Sequence, residues 1–503
     1  MSIPLLLEMA ASGYGERVAL GPLAGGMTFD DLQIRALGGA TVVADRAPSH
    51  VVFVGRNGPG YVQAFLSAAV AGVPFVPLNY RLAPAQLHAL ISELTGSLII
   101  ADRAYAGMFD EGSVVICDDF VDAARTAPPG DLDDRGDRGP VDDETPAVLL
   151  YTSGTTARPK AVVLRHGHLA SYIFSTVEFD SAAPDEAALV AVPPYHVAAV
   201  GSTLSNLFAG RRVVHLPDFD PGGWLETARA ENVTSAMLVP TMLARVLDVL
   251  GDSPAGLPSL RLISYGGARM PRPVIERALQ VFPDAGFVNA YGLTETSSTI
   301  ALLGPAEHRQ AIASRDPLVR ARLASAGRVV PGVEAEIRDE AGNALDPGQS
   351  GLLWVRGRQV SGEYRGQQSM LDAQGWLPTR DIARQDADGY LFIEGRADDT
   401  IIRGGENISP AEIEDVLVMH PGVREVAVVG TPDDDWGARI CAVVVREPGT
   451  APTAEELRAF VRQRLRSSRT PDDIVWRSAL PQTDTGKLLR RQLAAELSLA
   501  SLE

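Results

Sequence analysis

The chain has 503 residues, of which 46% are hydrophobic, and a formal net charge of −18 at pH 7. So much apolar content can form large buried cores, which excludes an intrinsically disordered protein. The balance of 63 Asp and Glu against 45 Lys and Arg excludes a general binder of nucleic acid. An anionic ligand would therefore need a local cationic site.

Cysteine usage and the N-terminus bear on the compartment. The two cysteines, Cys117 and Cys441, stand in apolar stretches and are predicted to be buried and unpaired, which fits a reducing compartment. No basic segment precedes the short apolar patch at the N-terminus, and no apolar run reaches the roughly 18 residues that span a bilayer. We therefore expect no signal peptide, no membrane span and a cytoplasmic location.

The first part of the chain alternates strand-like and helix-like runs. "SHVVFVG" and "GVPFVPLN" are predicted strands that flank a predicted helix, "GYVQAFLSAAVAG". This order is typical of a parallel sheet covered by helices. Residues 128–146 are polar, acidic and rich in Gly and Pro, which predicts a solvated connector. Strand-like runs then resume in "AALVAVPPYH", "RRVVHLPDF", "VTSAMLVPTML" and "LRLISYGGA".

The pattern changes after about Ser325. Short alternating strands with Gly, Asn and Pro turns predict a small β-barrel or sheet module. Further along, Ser409 is a predicted helix N-cap, Pro410 the first helical residue, and Glu412 the partner in a capping box.

The predicted fold class is α/β, with two domains. Residues 1–395 form a large domain of helix-covered, mainly parallel sheets plus a small β-barrel. Residues 396–503 form a small, mobile α+β domain, and "GRADD", near Asp398, is the candidate hinge.

One loop between two predicted strands is rich in hydroxyl groups. It lies in "LLYTSGTTARPKAVV", residues 149–163. Ser, Thr and Gly can form an ordinary turn, because the hydroxyls bond nearby backbone and Gly adopts positive φ. Alternatively, backbone N–H groups, hydroxyls and Lys160 form a cradle for phosphate. The spacing of a Walker loop is absent, and the segment alone leaves both interpretations open.

A second polar segment, "NAYGLTETSS" at residues 289–298, follows a strand-like run. It is either a loop with an aromatic plug or part of a nucleotide site. In a nucleotide site, Tyr291 offers a face to a base, Gly292 permits close backbone approach and Thr294 donates to a phosphate. Glu295 is a hard oxygen ligand suited to Mg²⁺.

Other stretches carry weaker signals. The glycines of "SYGGARM", residues 264–270, suit either a flat ligand or a tight turn. Asp381 and Arg396 flank the turn "DADG", so paired hairpin strands would bring both to one ribose, or they form a surface charge pair.

Two single residues have both a plain and a catalytic interpretation. Lys487, on a Gly-containing loop, is either solvated or a mobile point charge for a reacting carboxylate and phosphate. His196, which follows a tyrosine, is either structural or part of a site.

Together these stretches resemble the adenylate-forming superfamily, which includes acyl-CoA synthetases, firefly luciferase and the adenylation domains of peptide synthetases. The motifs occur in the family's order over essentially the whole chain: "YTSGTTARPK", "YGLTE", "TRD", "GRADDTIIRGGENISPAEIE" and "TDTGKLLRR". The resemblance implies that a carboxylate attacks the α-phosphorus of ATP, which gives acyl-AMP and pyrophosphate. A thiol, usually coenzyme A, then displaces AMP. Because two anions must meet, cations have to neutralise charge.

The resemblance also implies a role for each motif residue. The phosphate loop, residues 152–160, would grip the β- and γ-phosphates through Thr152, Ser153, Gly154, Thr155, Thr156 and Lys160. The nucleoside would be held by Gly267, Ala268, Asn289 and Tyr291 at the adenine and by Asp381 and Arg396 at the ribose, and Gly292 would permit close backbone approach to the nucleotide. Thr294 would touch the α-phosphate, Glu295 and Thr155 would hold Mg²⁺, and Lys487 would bridge carboxylate and phosphate.

Family members rotate the C-terminal domain about a residue that matches Asp398. This rotation would move Lys487 away and bring a small-residue loop, Arg403–Gly404–Gly405, to the active site. Trp436 matches a position near coenzyme A, and His196 matches a residue that gates the acyl pocket.

The chain departs from the family pattern at several positions. Ala157 and Ala161 replace glycines of the phosphate loop, and alanine resists positive φ. Arg380 stands where glycine is commoner before the ribose aspartate. "SSRTPDDIV" lacks the usual Lys or Tyr before proline, a position linked to coenzyme A contacts.

The expected acyl pocket involves residues 197–203, 237–241 and 265–267, which are mostly small and apolar without an anchoring charge. It predicts a fatty, aryl or polycyclic acid. The leading prediction is an ATP-dependent acyl- or aryl-CoA ligase, monomeric or homodimeric. The alternatives are an acyl-AMP ligase that acylates a carrier protein, a luciferase-like oxygenase and a non-catalytic nucleotide-binding homologue.

Overall fold

The computed structural model describes residues 1–110, 112–129, 141–152, 159–251, 253–433, 435–483 and 488–500. Its strands, numbered in chain order, are β1 (Val18–Leu20), β2 (Met27–Thr28), β3 (Val51–Val54), β4 (Phe75–Pro77), β5 (Leu98–Ala101), β6 (Val114–Ile116), β7 (Pro146–Thr152), β8 (Lys160–Arg165), β9 (Ala187–Val190), β10 (Arg212–His215), β11 (Ser235–Leu238), β12 (Leu262–Gly266), β13 (Gly286–Leu293), β14 (Ser298–Leu303), β15 (Arg328–Val329), β16 (Val333–Arg338), β17 (Ser350–Gly357), β18 (Leu377–Gln385), β19 (Leu391–Arg396), β20 (Ile401–Arg403), β21 (Glu406–Ile408), β22 (Val423–Asp433), β23 (Gly437–Arg446) and β24 (Asp473–Arg477).

The helices are α1 (Ile3–Tyr14), α2 (Phe29–Ala44), α3 (Pro59–Ala71), α4 (Pro84–Ser92), α5 (Arg103–Ala106), α6 (Cys117–Thr126), α7 (His166–Thr176), α8 (Val197–Ala209), α9 (Pro221–Ala230), α10 (Pro240–Leu250), α11 (Arg272–Val281), α12 (Pro305–Ala313), α13 (Pro317–Ala321), α14 (Pro410–Leu417), α15 (Ala454–Arg462) and α16 (Arg490–Ala500). Short 3-10 turns cover Thr294–Thr296, Arg322–Ala324, Ala397–Asp399 and Ser467–Arg469. No helix in the described ranges is long and apolar enough to cross a membrane.

A six-stranded sheet has the order β6-β5-β3-β4-β7-β8, parallel except for β8. The predicted strand–helix–strand unit is confirmed as β3, α3 and β4. Proline stands at the start of α3, and Gly72 ends the helix with a left-handed φ of 66°. Because α3 is apolar on all sides, it is buried on all sides.

A nine-stranded sheet has the order β15-β14-β13-β12-β11-β9-β10-β1-β2. The strands from β13 to β1 in this order are parallel, whereas β14 pairs antiparallel with β13, β15 with β14 and β2 with β1. One apolar core, which includes Phe53 and Phe75 of the first sheet and Val190 and Val213 of the second, joins the two sheets. Carboxyl ends of parallel strands are where open α/β sheets place ligands.

The predicted β-barrel or sheet module is a four-stranded antiparallel sheet. Its strands have the linear order β16-β17-β18-β19 in the described chain rather than a closed ring. The hairpin of β18 and β19 carries Asp381 and Arg396.

The C-terminal part has its own apolar cores, formed by residues between Ile401 and Leu497. Ser409 is the N-cap residue of α14, and Pro410 is its first residue, as predicted. The predicted capping box is wrong, because the Ser409 hydroxyl donates to the Glu394 carbonyl at 2.5 Å instead of capping α14. The boundary between residues 395 and 396 stays a prediction.

Both cysteines are buried and free, as predicted. Burial raises the pKa of the Cys117 thiol to about 12 and that of Cys441 to about 11, so both stay protonated. Most of the predicted connector, residues 130–140, lies outside the described residues.

Candidate active site

Three residues form what we call the nucleoside clamp: Tyr291, Asp381 and Arg396. Asp381 and Arg396 are direct partners in the β18–β19 register, and Arg396 Nε lies 2.9 Å from Asp381 Oδ1. The predicted pairing is confirmed, but it is no surface charge pair, because Asp381 is only 4% exposed. The Tyr291 hydroxyl donates to Asp381 Oδ2.

Tyr291 acts as a hydrogen-bond donor in this clamp. Burial raises the pKa of Tyr291 well above its usual value, and the Asp381 charge raises it further. The phenol therefore stays protonated. The sequence pattern assigned only the ring face to a ligand, whereas the hydroxyl orients the buried carboxylate. A carboxylate so held can accept hydrogen bonds from a diol.

A second group, the carboxylate–tyrosine–lysine group, consists of Glu295, Tyr364 and Lys160. The Tyr364 hydroxyl donates to Glu295 Oε1 at 2.6 Å, and Lys160 Nζ lies 5.6 Å from the centre of the Tyr364 ring. Burial and then the Glu295 charge raise the pKa of Tyr364, so it too remains a donor. The sequence analysis missed Tyr364, which no local pattern marks.

Hydrogen bonds from the Gln359 side chain hold the turn that carries Thr294 and Glu295. Gln359 Nε2 donates to the carbonyls of Thr296 at 3.0 Å and Thr299 at 2.8 Å. Ser297 adopts a φ of 58°, a left-handed conformation that serine rarely takes. Such conformations persist where surrounding contacts determine them, so the backbone of this turn is held in place next to Glu295.

Gly292 has a structural reason to be glycine. A Cβ there would lie 1.7 Å from the Ser298 carbonyl oxygen. The close approach that the sequence predicted is thus that of the chain's own β14, across the irregular β13–β14 pairing.

On the side predicted for adenine, Gly267 has a φ of 80° directly after β12, and Ala268 is partly exposed. The Asn289 amide donates to the Ser325 carbonyl at 2.8 Å, so it also has a structural task. Tyr265 does not line the expected acyl pocket: its side chain is fully buried on the opposite face, where its hydroxyl is 2.8 Å from His308 Nε2.

Two of the three expected pocket segments, in β11 and β12, lie beside each other, and the third, in α8, approaches β14. Residues 237–238 of β11 lie beside residues 264–265 of β12, and the position of a Cβ on Gly201 of α8 is 3.3 Å from the Ser298 hydroxyl. His196 is the half-buried N-cap residue of α8, and its ring centre is 4.6 Å from that of Tyr195.

The C-terminal residues predicted near coenzyme A form a separate cluster. The Gly404 N–H donates to the Trp436 carbonyl at 2.8 Å, and the Arg403 guanidinium lies 5.6 Å from the Trp436 ring. Arg403 also pairs with Asp472 at 2.8 Å. Trp436 is 56% exposed, and Gly405 has a φ of 80°. The contacts of Arg403 and Gly404 named here are thus all within the C-terminal part.

Several predicted residues lie outside the described residues: Ser153, Gly154, Thr155, Thr156 and Lys487. At the edge of this gap, Thr152 and Lys160 are partners in the β7–β8 register. In the described ranges, no group of three or more His, Cys, Asp or Glu could hold a metal ion. A single carboxylate, Glu295, still fits Mg²⁺, which usually takes one or two carboxylates together with phosphate oxygens and water.

Comparison with known proteins agrees with this geometry. A family model described as "AMP-binding enzyme" matches residues 7–365, and "AMP-binding enzyme C-terminal domain" matches residues 412–487. Feruloyl-CoA synthase of an Amycolatopsis species is 33% identical over 470 residues, 91% of each chain. A fatty acid–[acyl-carrier-protein] ligase, ScoC, of Streptomyces coeruleorubidus is 31% identical over 489 residues, 93% of this chain and 91% of that one.

Solved structures of o-succinylbenzoate CoA synthetase from Bacillus subtilis share the fold. The complex with the acyl-adenylate OSB-AMP has a TM-score of 0.82, 27% identity and 97% coverage of both chains. The complex with ATP and magnesium ion has a TM-score of 0.80, 26% identity and coverage of 97% and 98%.

The chain therefore belongs to the AMP-binding enzyme family, and the predicted resemblance and α/β fold class are confirmed. Its activity is ATP-dependent, AMP-forming ligation of a carboxylic acid to a thiol, the reaction class of the acyl-CoA ligases. The non-catalytic alternative is thereby set aside.

Proposed function

We propose that this ligase activates an aryl-type acid and transfers it to coenzyme A. The observation that carries the ATP-dependent activation is the placement of the two groups described above. The nucleoside clamp includes Tyr291 of β13, and the carboxylate–tyrosine–lysine group includes Glu295 of the turn that directly follows β13. The nucleoside clamp can take the ribose end of ATP, and the carboxylate–tyrosine–lysine group can take its phosphate end. Reaction is then expected at the α-phosphorus between them.

The clamp would bind and orient ATP. The Asp381 carboxylate accepts from the two ribose hydroxyls, while Arg396 and Tyr291 hold its oxygens in place. Charged hydrogen bonds of this kind are short and directional. The thioester-forming half-reaction needs the same contacts to the AMP part of acyl-AMP, so the clamp serves both halves.

Charge has to be neutralised where the acid meets the α-phosphate. Lys160 would contact the terminal phosphates, and Thr294 would donate to the α-phosphate. Bound Mg²⁺, held by Glu295, would supply charge neutralisation on the phosphate oxygens. Thr155 as a further Mg²⁺ contact and Lys487 as the bridge between carboxylate and phosphate are proposed from the family pattern alone.

The acid class rests on the pocket and on the relatives. Residues 197–203 and 237–241 contain no Asp, Glu, Lys or Arg, so a charged amine on the substrate would find no partner there. Feruloyl-CoA synthase and o-succinylbenzoate CoA synthetase act on aromatic acids by their names. An aryl acid fits both observations, with fatty and polycyclic acids as the other members of the panel.

The acceptor is the finer part of the proposal. Exposed Trp436 beside Gly404 supports coenzyme A, because an aromatic face next to a residue without a side chain can accommodate a thiol-bearing arm. The similarity to ScoC, named as an acyl-carrier-protein ligase, makes a carrier-protein thiol the second candidate. A cytoplasmic location and a monomeric or homodimeric state stay predictions.

The test is carboxylate-dependent ATP–pyrophosphate exchange over aryl, fatty and polycyclic acids, followed by AMP release with and without coenzyme A. Exchange that is strongest with an aryl acid, with AMP release that depends on coenzyme A, is the expected result. Exchange without any response to coenzyme A would instead support a carrier-protein thiol as the acceptor. Preference for an amino-bearing or short acid would overturn the assigned acid class.

A further inference from the structure

Arg380 holds an unusual backbone conformation. It lies in β18, directly before Asp381 of the nucleoside clamp, with a φ of 63°. This left-handed region favours glycine, because a Cβ crowds the neighbouring carbonyl oxygen. Glycine would therefore be the less strained residue here. A long, charged side chain in such a position indicates a compensating contact.

That contact is with the predicted hinge. Arg380 Nη1 lies 3.8 Å from Asp398 Oδ2, in the 3-10 turn Ala397–Asp399. The same oxygen lies 3.6 Å from Arg491 Nη2 on α16. Asp398 thus bridges a strand of the N-terminal part and a helix of the C-terminal part.

The neighbouring residues attach α16 to the same turn. Arg490 Nε is 3.5 Å from Asp399 Oδ2, and Arg490 Nη1 is 2.5 Å from Glu414 Oε1 on α14. The C-terminal side of the turn is therefore held by several charges. On the N-terminal side, the cation that faces Asp398 is Arg380.

We propose that Arg380 is a positioning residue that sets the balance between the two half-reactions through its ion pair with Asp398. The proposal rests on the proposed function and on the predicted hinge at Asp398. While the pair is formed, the C-terminal part is biased toward the arrangement in this structure.

The arrangement in this structure keeps the Arg403–Gly404–Gly405 loop within the C-terminal part. Arg403 pairs with Asp472, and the next residue after the loop, Glu406, pairs with Arg469. The loop is thus tied to its own domain, and in the proposed cycle this is the arrangement in which acyl-AMP forms. Loss of the Arg380 pair should therefore slow acyl-AMP formation relative to thioester formation.

The expected change is modest. Arg380 is 51% and Asp398 38% exposed in their side chains, and exposed ion pairs shift equilibria about two- to fivefold. A second contact, Arg269 with Asp415, also joins the adenine side of the site to α14 and remains in the variants.

The test compares Arg380→Gly, Arg380→Asn and Arg380→Lys. Glycine and asparagine tolerate the left-handed conformation, so both remove the charge without adding strain, whereas lysine keeps the charge. The matched control is Arg384→Ala, which removes an ion pair with Glu394 at 3.1 Å from the same strand. The two half-reactions are measured separately, by ATP–pyrophosphate exchange and by thioester formation from supplied acyl-AMP.

We expect the exchange-to-thioester ratio to fall about two- to fivefold in the Gly and Asn variants and to stay near the wild-type value in Arg380→Lys and Arg384→Ala. Raising the ionic strength should lower the wild-type ratio toward that of Arg380→Gly. In an Asp398→Asn background, Arg380→Gly should change the ratio no further.

Three results would overturn the proposal: an unchanged ratio in Arg380→Gly, an equal shift in Arg384→Ala, or full additivity with Asp398→Asn. The thermal unfolding temperature of Arg380→Gly should not fall below that of the wild type, since the backbone strain is relieved.

If the wild-type protein shows neither half-reaction with any acid, the proposed function has failed. A shift can then not be measured, and the arrangement is tested by small-angle scattering of wild type and Arg380→Gly with ATP and Mg²⁺. Identical scattering curves would reject the role of Arg380.

Discussion

The hydroxyl of Tyr291 donates a hydrogen bond to the carboxylate of Asp381, although the two residues are 90 positions apart in the chain. The bond joins β13 of the nine-stranded sheet to β18 of the four-stranded sheet. A buried carboxylate is tolerated only when it is paired and hydrogen-bonded, and here Arg396 supplies the opposite charge. The contact between the two sheets is therefore also the place where a ribose can be held.

Replacing Tyr291 with phenylalanine should weaken ATP binding. The ring and its packing remain, but Asp381 loses a hydrogen bond that orients its carboxylate. A hydrogen bond to a charged group contributes about 1.5–3 kcal/mol, so we expect the KM for ATP in pyrophosphate exchange to rise about tenfold or more. Tyr390→Phe is the control, since its hydroxyl contacts Glu307 at 3.2 Å outside the clamp. Equal effects in both variants would contradict a specific role of Tyr291.

Replacing Tyr364 with phenylalanine should change the Mg²⁺ requirement. Its hydroxyl holds one oxygen of Glu295 at 2.6 Å, and groups that orient a metal ligand usually affect metal affinity. We expect the half-saturating Mg²⁺ concentration in the exchange reaction to rise about tenfold, while the aromatic neighbour of Lys160 is retained. A Mg²⁺ titration at saturating ATP measures this shift. An unchanged Mg²⁺ requirement would mean that Glu295 does not hold the metal.

Buried histidines should make the fold sensitive to acid. Burial, with a smaller contribution from Arg165, lowers the pKa of His168 to about 4, against an ordinary value of 6.5. The unfolded chain therefore binds a proton between pH 6.5 and 4 that the folded chain does not, and stability falls as the pH drops through this window. Above pH 6.5 this group contributes its full share.

His168→Gln tests this directly. Nδ1 of His168 accepts a bond from the Arg165 N–H at 3.2 Å at the start of α7, and a glutamine oxygen can accept it without titrating. Between pH 7.5 and 4.5, the thermal unfolding temperature of the variant should fall less than that of the wild type. His88→Gln, at an exposed position, should follow the wild type. Parallel curves for all three proteins would show that His168 does not titrate as described.

Much of the site follows from local sequence, and the misses have physical causes. The pairing of Asp381 with Arg396 was predictable, because the turn "DADG" joins two predicted strands and a hairpin pairs the residues on either side of its turn. Tyr364 and Gln359 contact the Glu295 turn from more than 60 positions away, so no periodicity could mark them.

Competition between partners explains other differences. The Ser409 hydroxyl donates to the Glu394 carbonyl and makes no capping hydrogen bond with the backbone of α14. Tyr265 follows the alternation of β12 and faces the core rather than the pocket. The positive φ of Arg380 could not be predicted, because arginine disfavours the left-handed conformation.

The role proposed for Lys487 gives the clearest separation of the two half-reactions. Its position follows from the motif "TDTGKLLRR" alone, three residues before Arg490, whose contacts hold α16 to the turn Ala397–Asp399 and to α14. Lys487→Ala should lower pyrophosphate exchange at least a hundredfold, since a point charge between two anions contributes several kcal/mol in the transition state. Thioester formation from supplied acyl-AMP should stay within about twofold of wild type, because the nucleoside clamp is intact and no new phosphoryl bond forms.

Arg491→Ala is a useful comparison, because it removes a cation from the same segment. This cation lies 3.6 Å from Asp398, so its loss should alter the ratio of the two half-reactions without abolishing exchange. Equal loss in both halves for Lys487→Ala would show that the lysine supports the fold or both steps, and a mobile C-terminal domain would then no longer explain how one site performs two reactions.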